Sequence, residues 1–377
     1  MKSLGLYLHI PFCKSKCLYC DFCSFPRPRT EDVEAYVHAL CRDLERRSEA
    51  CGGYAVDTVY VGGGTPTVLN ADQLEQIMNT VARFYHLAHG VEITSECNPA
   101  SANADLLKRM RTAGWNRLSI GLQSAQAQEL KALGRLHSFE GFLSTWEQAR
   151  AAGFSNLSAD LMFGIPHQTE ESFADTLEKT LACQPEHLSV YSLIVEEGTP
   201  FGRRGEDQLS LPDEDQVRRM YLHMVERLNA AGVMQYEISN FARVGYESRH
   251  NLKYWNTDEY LGFGLGAYSD FGGVRFGNGR DLGAYLSGED ITEEREIPDR
   301  RERLSEYVML RMRLNEGIRF FSLAERFGEE AVVQLKKSLA SYEAGGFLRM
   351  AEDRVAFTAE GMLVSNSILS DVLEFGN

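Results

Sequence analysis

Three cysteines near the start of this 377-residue chain constrain it more than anything else. Cys13, Cys17 and Cys20 stand in the spacing C-x3-C-x2-C, within "HIPFCKSKCLYCDF". Three thiolates can hold a cubane [4Fe-4S] cluster by three corners and leave the fourth iron without a protein ligand. An iron with an open position is a place for chemistry, whereas a structural metal site closes its coordination with four ligands.

Two plainer readings compete. Cys23 supplies a fourth thiol, which would suit zinc. Zinc sites usually pair two C-x2-C knuckles far apart, and the remaining cysteines here are single and scattered. A disulfide framework is the other reading. Eight cysteines in 377 residues are too sparse for one, and no secretory signal is read at the start. Cys41, Cys51, Cys97 and Cys183 sit in apolar or helical settings and read as small core residues.

Length and composition leave room for one large domain and a smaller one. No apolar run approaches the ~20 residues of a membrane span, so an integral membrane protein is not expected. The formal charge is -15, which would repel a phosphate backbone and excludes nucleic acid as an expected partner. Reduced cysteines without a targeting segment point to the cytoplasm.

Through residue 240 one pattern repeats: a short apolar run, a turn, and an amphipathic helix. The runs are Leu4–Ile10, Thr58–Val61, Val91–Ser95, Arg117–Gly121, Leu157–Phe163 and Leu188–Leu193. Between them Val33, Val37, Leu40 and Leu44, and then Leu74, Ile77, Met78 and Val81, recur at helical spacing. Strands alternating with helices predict right-handed βα units around a parallel sheet. Six units would close into a partial (βα)6 barrel, and a flat doubly wound sheet is the alternative. In either fold ligands bind at the carboxyl ends of the strands. Those ends read "GGGTPT", "ECNP", "GLQS" and "DLMFGIP". Gly62, Gly63 and Gly64 permit close backbone approach, although a plain tight turn would use them too. Glu96, Gln123 and Asp160 add polar groups that can bond a ribose or an ammonium.

Taken together, "YLHIPFCKSKCLYCDF", "VGGGTPT", "ECNP", "RLSIGLQS" and "DLMFGIPHQT" resemble the oxygen-independent coproporphyrinogen III oxidase family of radical S-adenosylmethionine (SAM) proteins. Within that family the chain is similar to the HemW-type heme chaperones. The resemblance implies the partial radical SAM barrel, a cluster on Cys13, Cys17 and Cys20, and SAM on the open iron. It implies SAM contacts from Tyr7, from Phe12 or Tyr19, and from Gly63, Gly64, Thr65, Glu96, Gln123, Arg135 and Asp160. Backbone near Leu193 and from Gly264 to Ser269 would close over the adenine.

One departure separates two activities. The oxidase resembles C-x3-C-x2-C-x-C, and its fourth cysteine position is Phe22 here, with Cys23 one residue later. A second motif, "HNLKYW", places His250 beside Tyr254 and Trp255. A neutral imidazole can ligate heme iron and flat aromatic rings can pack on a porphyrin. A lone histidine beside aromatics is otherwise a hydrogen-bonded structural residue. The string resembles the heme-binding signature of the chaperone group, which favours heme ligation by His250.

The segment Thr292 to Arg303 reads as a solvated linker or helix entry. After it come a helix in "LSEYVMLRMRL", two helices in "SLAERFG" and "EEAVVQLKKSLASYEAGG", a hairpin turning at Glu352–Asp353, and a last helix from Ala359. This order resembles a winged-helix module. Residues 302–377 hold nine Lys and Arg against twelve Asp and Glu, so packing or partner docking is expected and DNA binding is not. The expected parts are a barrel over 1–240, a connecting segment with the HNLKYW motif over 241–300, and an α+β, winged-helix-like domain over 301–377. The leading function is a heme chaperone that binds heme, a [4Fe-4S] cluster and SAM and delivers heme to an acceptor protein. Oxidative decarboxylation of coproporphyrinogen III, or a radical SAM reaction on heme itself, are the alternatives. A homodimer is left open, as is the role of Cys23.

Overall fold

A computed structural model describes residues 1–374. The six expected runs are the six parallel strands β1 (Lys2–Ile10), β2 (Tyr54–Gly63), β3 (Leu87–Cys97), β4 (Arg117–Gln123), β5 (Leu157–Phe163) and β6 (His187–Ser192). Between and after them run α1 (Thr30–Ser48), α2 (Ala71–Phe84), α3 (Ala104–Thr112), α4 (Phe139–Ala151), α5 (Glu170–Ala182) and α6 (Glu214–Ala230). The helices start where the sequence supplies caps. Asn70 and Gln73 form a reciprocal capping box on α2, and Asp213 and Gln216 do so on α6.

The sheet is larger than the strand pattern foretold. Short strands β7 (Met234–Gln235) and β8 (Asn240–Ala242) extend it antiparallel beyond β6. On the other side β9 (Tyr260–Phe263) runs parallel to β1, followed by β10 (Tyr268–Phe271), β11 (Val274–Asn278) and β12 (Thr292–Glu296). Among the described residues twelve strands join in the order β12-β11-β10-β9-β1-β2-β3-β4-β5-β6-β8-β7. The segment read as a connection therefore contributes strands. Thr292–Glu296, read as linker, is an edge strand. All five of its residues are exposed, so it carries no buried face by which a strand is recognised. Its charges also suit an edge, where they discourage pairing with another chain.

Each barrel strand alternates sharply. Leu4, Leu6, Leu8 and Ile10 of β1 are fully buried, in the same apolar cluster as Val37, Leu40 and Leu44 of α1. At ~1.5–3 kcal/mol per buried side chain, this layer between sheet and helices dominates the stability of the barrel. The opposite faces are polar. Thr58 and Tyr60, Glu92, Thr94 and Glu96, Arg117 and Ser119, Ser158 and Asp160, and His187 and Ser189 occupy the inner positions, and they bond across the interior. Ser158 Oγ lies 2.8 Å from His187 Nδ1, and Ser119 Oγ donates to Asp160 at 2.7 Å.

Beyond the barrel, α8 (Arg300–Arg311), β13 (Ile318–Arg319), α9 (Phe320–Phe327), α10 (Glu329–Ala344), β14 (Leu348–Met350) and β15 (Arg354–Phe357) form a helical unit with a three-stranded sheet. The expected hairpin is present as β14 and β15, and its partner strand β13 lies on the far side of β15.

Candidate functional site

The carboxyl ends of the strands surround a cavity of about 360 Å³. Cys13, Cys17 and Cys20 all line it, together with Tyr19, Gly63, Gly64, Thr65, Glu96, Gln123, Arg135, Asp160 and Leu193. All three are free thiols. Burial pushes the Cys13 and Cys20 thiols up, which a bound metal would reverse because it takes the thiolate. Among the described residues no three His, Cys, Asp or Glu side chains converge on a single ion. Cys23 is absent from this lining and faces the Gly264–Gly266 turn, 3.8 Å from the position a Cβ would take on Gly266.

Two donors reach the ligand sulfurs. Thr65 Oγ1 lies 3.4 Å from Cys13 Sγ, and Arg135 Nη1 lies 3.5 Å from Cys17 Sγ. Arg135 also donates from Nη2 to the Gly121 carbonyl at 2.9 Å, while its buried Nε has no protein partner. That orphan donor beside the cavity fits an anionic group of a ligand.

The glycine turn is built for closeness. Gly63 takes φ +108°, and a Cβ on Gly64 would stand 2.8 Å from the backbone oxygens of Ile10 and Phe12. Glu96 fills the space beside this turn. Its carboxylate accepts from Gly63 N–H at 3.1 Å and from Tyr60 Oη at 3.2 Å. Burial first, and then the nearby Asp160 carboxylate, push Glu96 up to about 7. Burial raises Asp160 as well, against a hydrogen bond from Ser119. Gln123, at the end of β4, holds φ +70°, a left-handed conformation costly for a side chain with a Cβ and concentrated at binding sites.

Several expected contacts lie elsewhere. Of Phe12 and Tyr19, only Tyr19 lines the cavity. Phe12 is buried edge-on against Tyr36, 5.3 Å between ring centres. Tyr7 stands behind the site, its hydroxyl sharing a 3.0 Å hydrogen bond with His9, whose other nitrogen bonds the Cys23 carbonyl at 2.8 Å. Tyr7 thus braces the cysteine loop from inside. Gly264 to Ser269 does not line the cavity but buttresses the same loop. A Cβ on Gly264 would meet the Tyr36 hydroxyl and the His9 carbonyl.

The HNLKYW motif forms α7 (Arg249–Asn256), at the other end of the barrel. Glu92 accepts from the Arg249 and His250 N–H groups, each at 3.1 Å, and so satisfies the helix start. The His250 ring enters the interior, fully buried, and stacks on Tyr60 with ring centres 5.3 Å apart. Its Nδ1 lies 2.9 Å from Thr58 Oγ1 and its Nε2 2.9 Å from the Tyr254 hydroxyl. Burial pulls its pKa down to about 3, so the ring is neutral. Both nitrogens are occupied and neither reaches the surface. In this arrangement Thr58 and Tyr254 already hold both ring nitrogens, so ligation of heme iron by His250 would require their release. Tyr254 is spent on His250, and Trp255 is half-buried, as are Asn251 and Leu252 of the motif. The helix packs toward the amino-terminal ends of the strands, but its His250 ring reaches Tyr60, which lines the cavity of the cysteines.

Sequence reasoning missed Tyr60 and Ser119, which line the cavity, and Phe22, Met162, Tyr191 and Ile194 around it. The polar alternation within the strands was the available signal for the first two.

Comparison with known proteins bears on this geometry. The radical SAM superfamily model matches residues 7–180, and the HemN C-terminal domain model matches residues 299–364. The solved coproporphyrinogen III oxidase of Escherichia coli superposes with a TM-score of 0.87, over 99% of this chain and 91% of that one. At 24% identity this shows the fold. The heme chaperone HemW of Bacillus subtilis (strain 168) is 35% identical over 99% of both chains. That of Escherichia coli (strain K12) is 34% identical over 98% of both. The mitochondrial radical S-adenosyl methionine domain-containing protein 1 of Danio rerio is 31% identical over 98% of this chain and 86% of its own. Radical SAM membership implies a [4Fe-4S] cluster and SAM, which the cysteine triad, the orphan Arg135 donor and the glycine turn fit. On full-length identity above 30% to two bacterial relatives, the chain belongs to the HemW family of radical SAM proteins.

Proposed function

We propose that the protein is a heme chaperone, which binds heme and hands it to an acceptor protein. Full-length relatedness to proteins of that name carries the reading. The position after the cysteines agrees with it, because Phe22 stands where the oxidase pattern has a fourth cysteine.

In this reading Cys13, Cys17 and Cys20 hold the cluster, and SAM lies over Gly63, Gly64 and Thr65. Glu96 takes the ammonium of SAM, Arg135 its carboxylate, and Asp160 and Gln123 its remaining polar groups. The bound cluster supplies one-electron chemistry to SAM. Thr65 and Arg135 stabilise negative charge on the ligand sulfurs through their hydrogen bonds. The buried walls keep bulk water from the site.

Anaerobic reconstitution with iron, sulfide and SAM, followed by titration with heme and incubation with coproporphyrinogen III, tests the proposal. Saturable heme binding without decarboxylation is the expected result. Sustained formation of protoporphyrinogen with matching methionine release would make the protein an oxidase.

A further inference from the structure

The mouth of the cavity is apolar where a surface should not be. Phe22 is 68% exposed, Ile194 69% and Leu136 64%. Phe22 and Ile194 line the cavity of the three cysteines. Leu136 lines an adjoining recess that shares Cys17, Thr65 and Arg135 with it. Large apolar side chains gathered at the rim of a site mark a surface awaiting a ligand or partner.

The same rim carries positive charge. Lys14 and Lys16 separate the ligand cysteines, Lys16 lining the cavity and Lys14 the recess. Lys14 Nζ donates to the Ala100 carbonyl at 2.5 Å and Lys16 Nζ to the Phe22 carbonyl at 3.1 Å. Neither lysine joins an ion pair among the described residues, in a chain whose net charge is -15.

We propose that this mouth is the heme-docking surface, with the macrocycle on Phe22, Ile194 and Leu136 and the propionates on Lys14 and Lys16. The assignment rests on the heme-chaperone reading and adds the place of docking. A flat apolar ring bearing two carboxylates is the occupant that satisfies both halves of the rim. It also gives Phe22 a use, as a flat surface in place of a thiol.

The test is a titration of the reconstituted protein with hemin and, separately, with hemin dimethyl ester, which keeps the ring and lacks the charges. Absorbance in the Soret region reports binding, and iron per chain confirms an intact cluster. The unaltered protein is expected to bind one hemin per chain and to prefer it to the ester. Lys14→Gln with Lys16→Gln should abolish that preference. Phe22→Ser should weaken both ligands about tenfold, equivalent to about 1.4 kcal/mol, and Phe22→Tyr should restore them. Unchanged affinities in these variants, with the unaltered protein still binding hemin, would move the docking surface elsewhere and leave the chaperone reading standing. Failure of the unaltered protein to bind hemin would overturn both.

Discussion

With Glu96 as the proposed partner of the SAM ammonium, SAM binding becomes a function of pH. The Glu96 carboxyl is displaced from 4.5 to about 7 by burial and by Asp160, a bias of about 3 kcal/mol against the charged form. The folded, ligand-free protein thus holds this proton more tightly than the unfolded chain does. That stabilisation is lost as pH rises from 4.5 toward 7, and it is absent above 7. An ammonium docked on Glu96 needs the carboxylate. Below pH 7 binding must therefore expel a proton, and affinity should fall with a slope that approaches tenfold per pH unit well below 7. Anaerobic calorimetry of SAM binding between pH 6 and 8, in two buffers of different ionisation enthalpy, reads affinity and proton release together. About one proton released at pH 6 and almost none at pH 8 is expected, with about a tenfold affinity change between pH 6 and 8. Glu96→Gln should bind SAM weakly and without this slope, and its ligand-free form should gain stability at pH 8. A flat profile in the unaltered protein, or an undiminished slope in Glu96→Gln, would refute the assignment.

Iron analysis after reconstitution should show cluster loss in Cys13→Ala, Cys17→Ala and Cys20→Ala, and about four iron per chain in Cys23→Ala, whose thiol faces away from the cavity. Thr65→Val removes a hydrogen bond to Cys13 sulfur, so redox titration should find the cluster potential shifted to more negative values. His250→Ala empties a filled site and strands Thr58 and Tyr254, so chemical denaturation should register a loss of about 2–4 kcal/mol. The Soret spectrum of bound heme should be unchanged in the same variant. A shifted Soret band there would return His250 to the role of ligand.

The barrel was legible because its strands have apolar outer faces and its helices have caps and stripes. Leu4, Leu6, Leu8 and Ile10 announce β1 wherever it is buried. The four strands from Tyr260 to Glu296 were not legible. They are short, and Thr292–Glu296 buries nothing, so tertiary pairing alone defines them. The cysteine spacing and the strand-end motifs led to one cavity, because parallel sheets gather their carboxyl ends. Tyr7 and Gly264–Ser269 lie one layer behind the cavity lining, a distinction between lining and support that a sequence does not spell out. The sequence did not show that the His250 ring would be turned inward onto Tyr60. "HNLKYW" reads the same whether its imidazole faces solvent or is turned into a barrel between a threonine and a tyrosine.

The helix that carries His250 stoppers the barrel at its amino-terminal end, and this imposes an order on assembly. With that end filled by interlocked rings and a satisfied helix start, whatever occupies the interior arrives through the cysteine mouth. Occupants that share one doorway load from the inside out and leave in reverse. With heme docked as proposed, the cluster would be built first, SAM next, and the broad flat cargo at the rim last. A chaperone arranged in this way would take up heme only once its interior is furnished, and its cargo would in turn lock SAM in place.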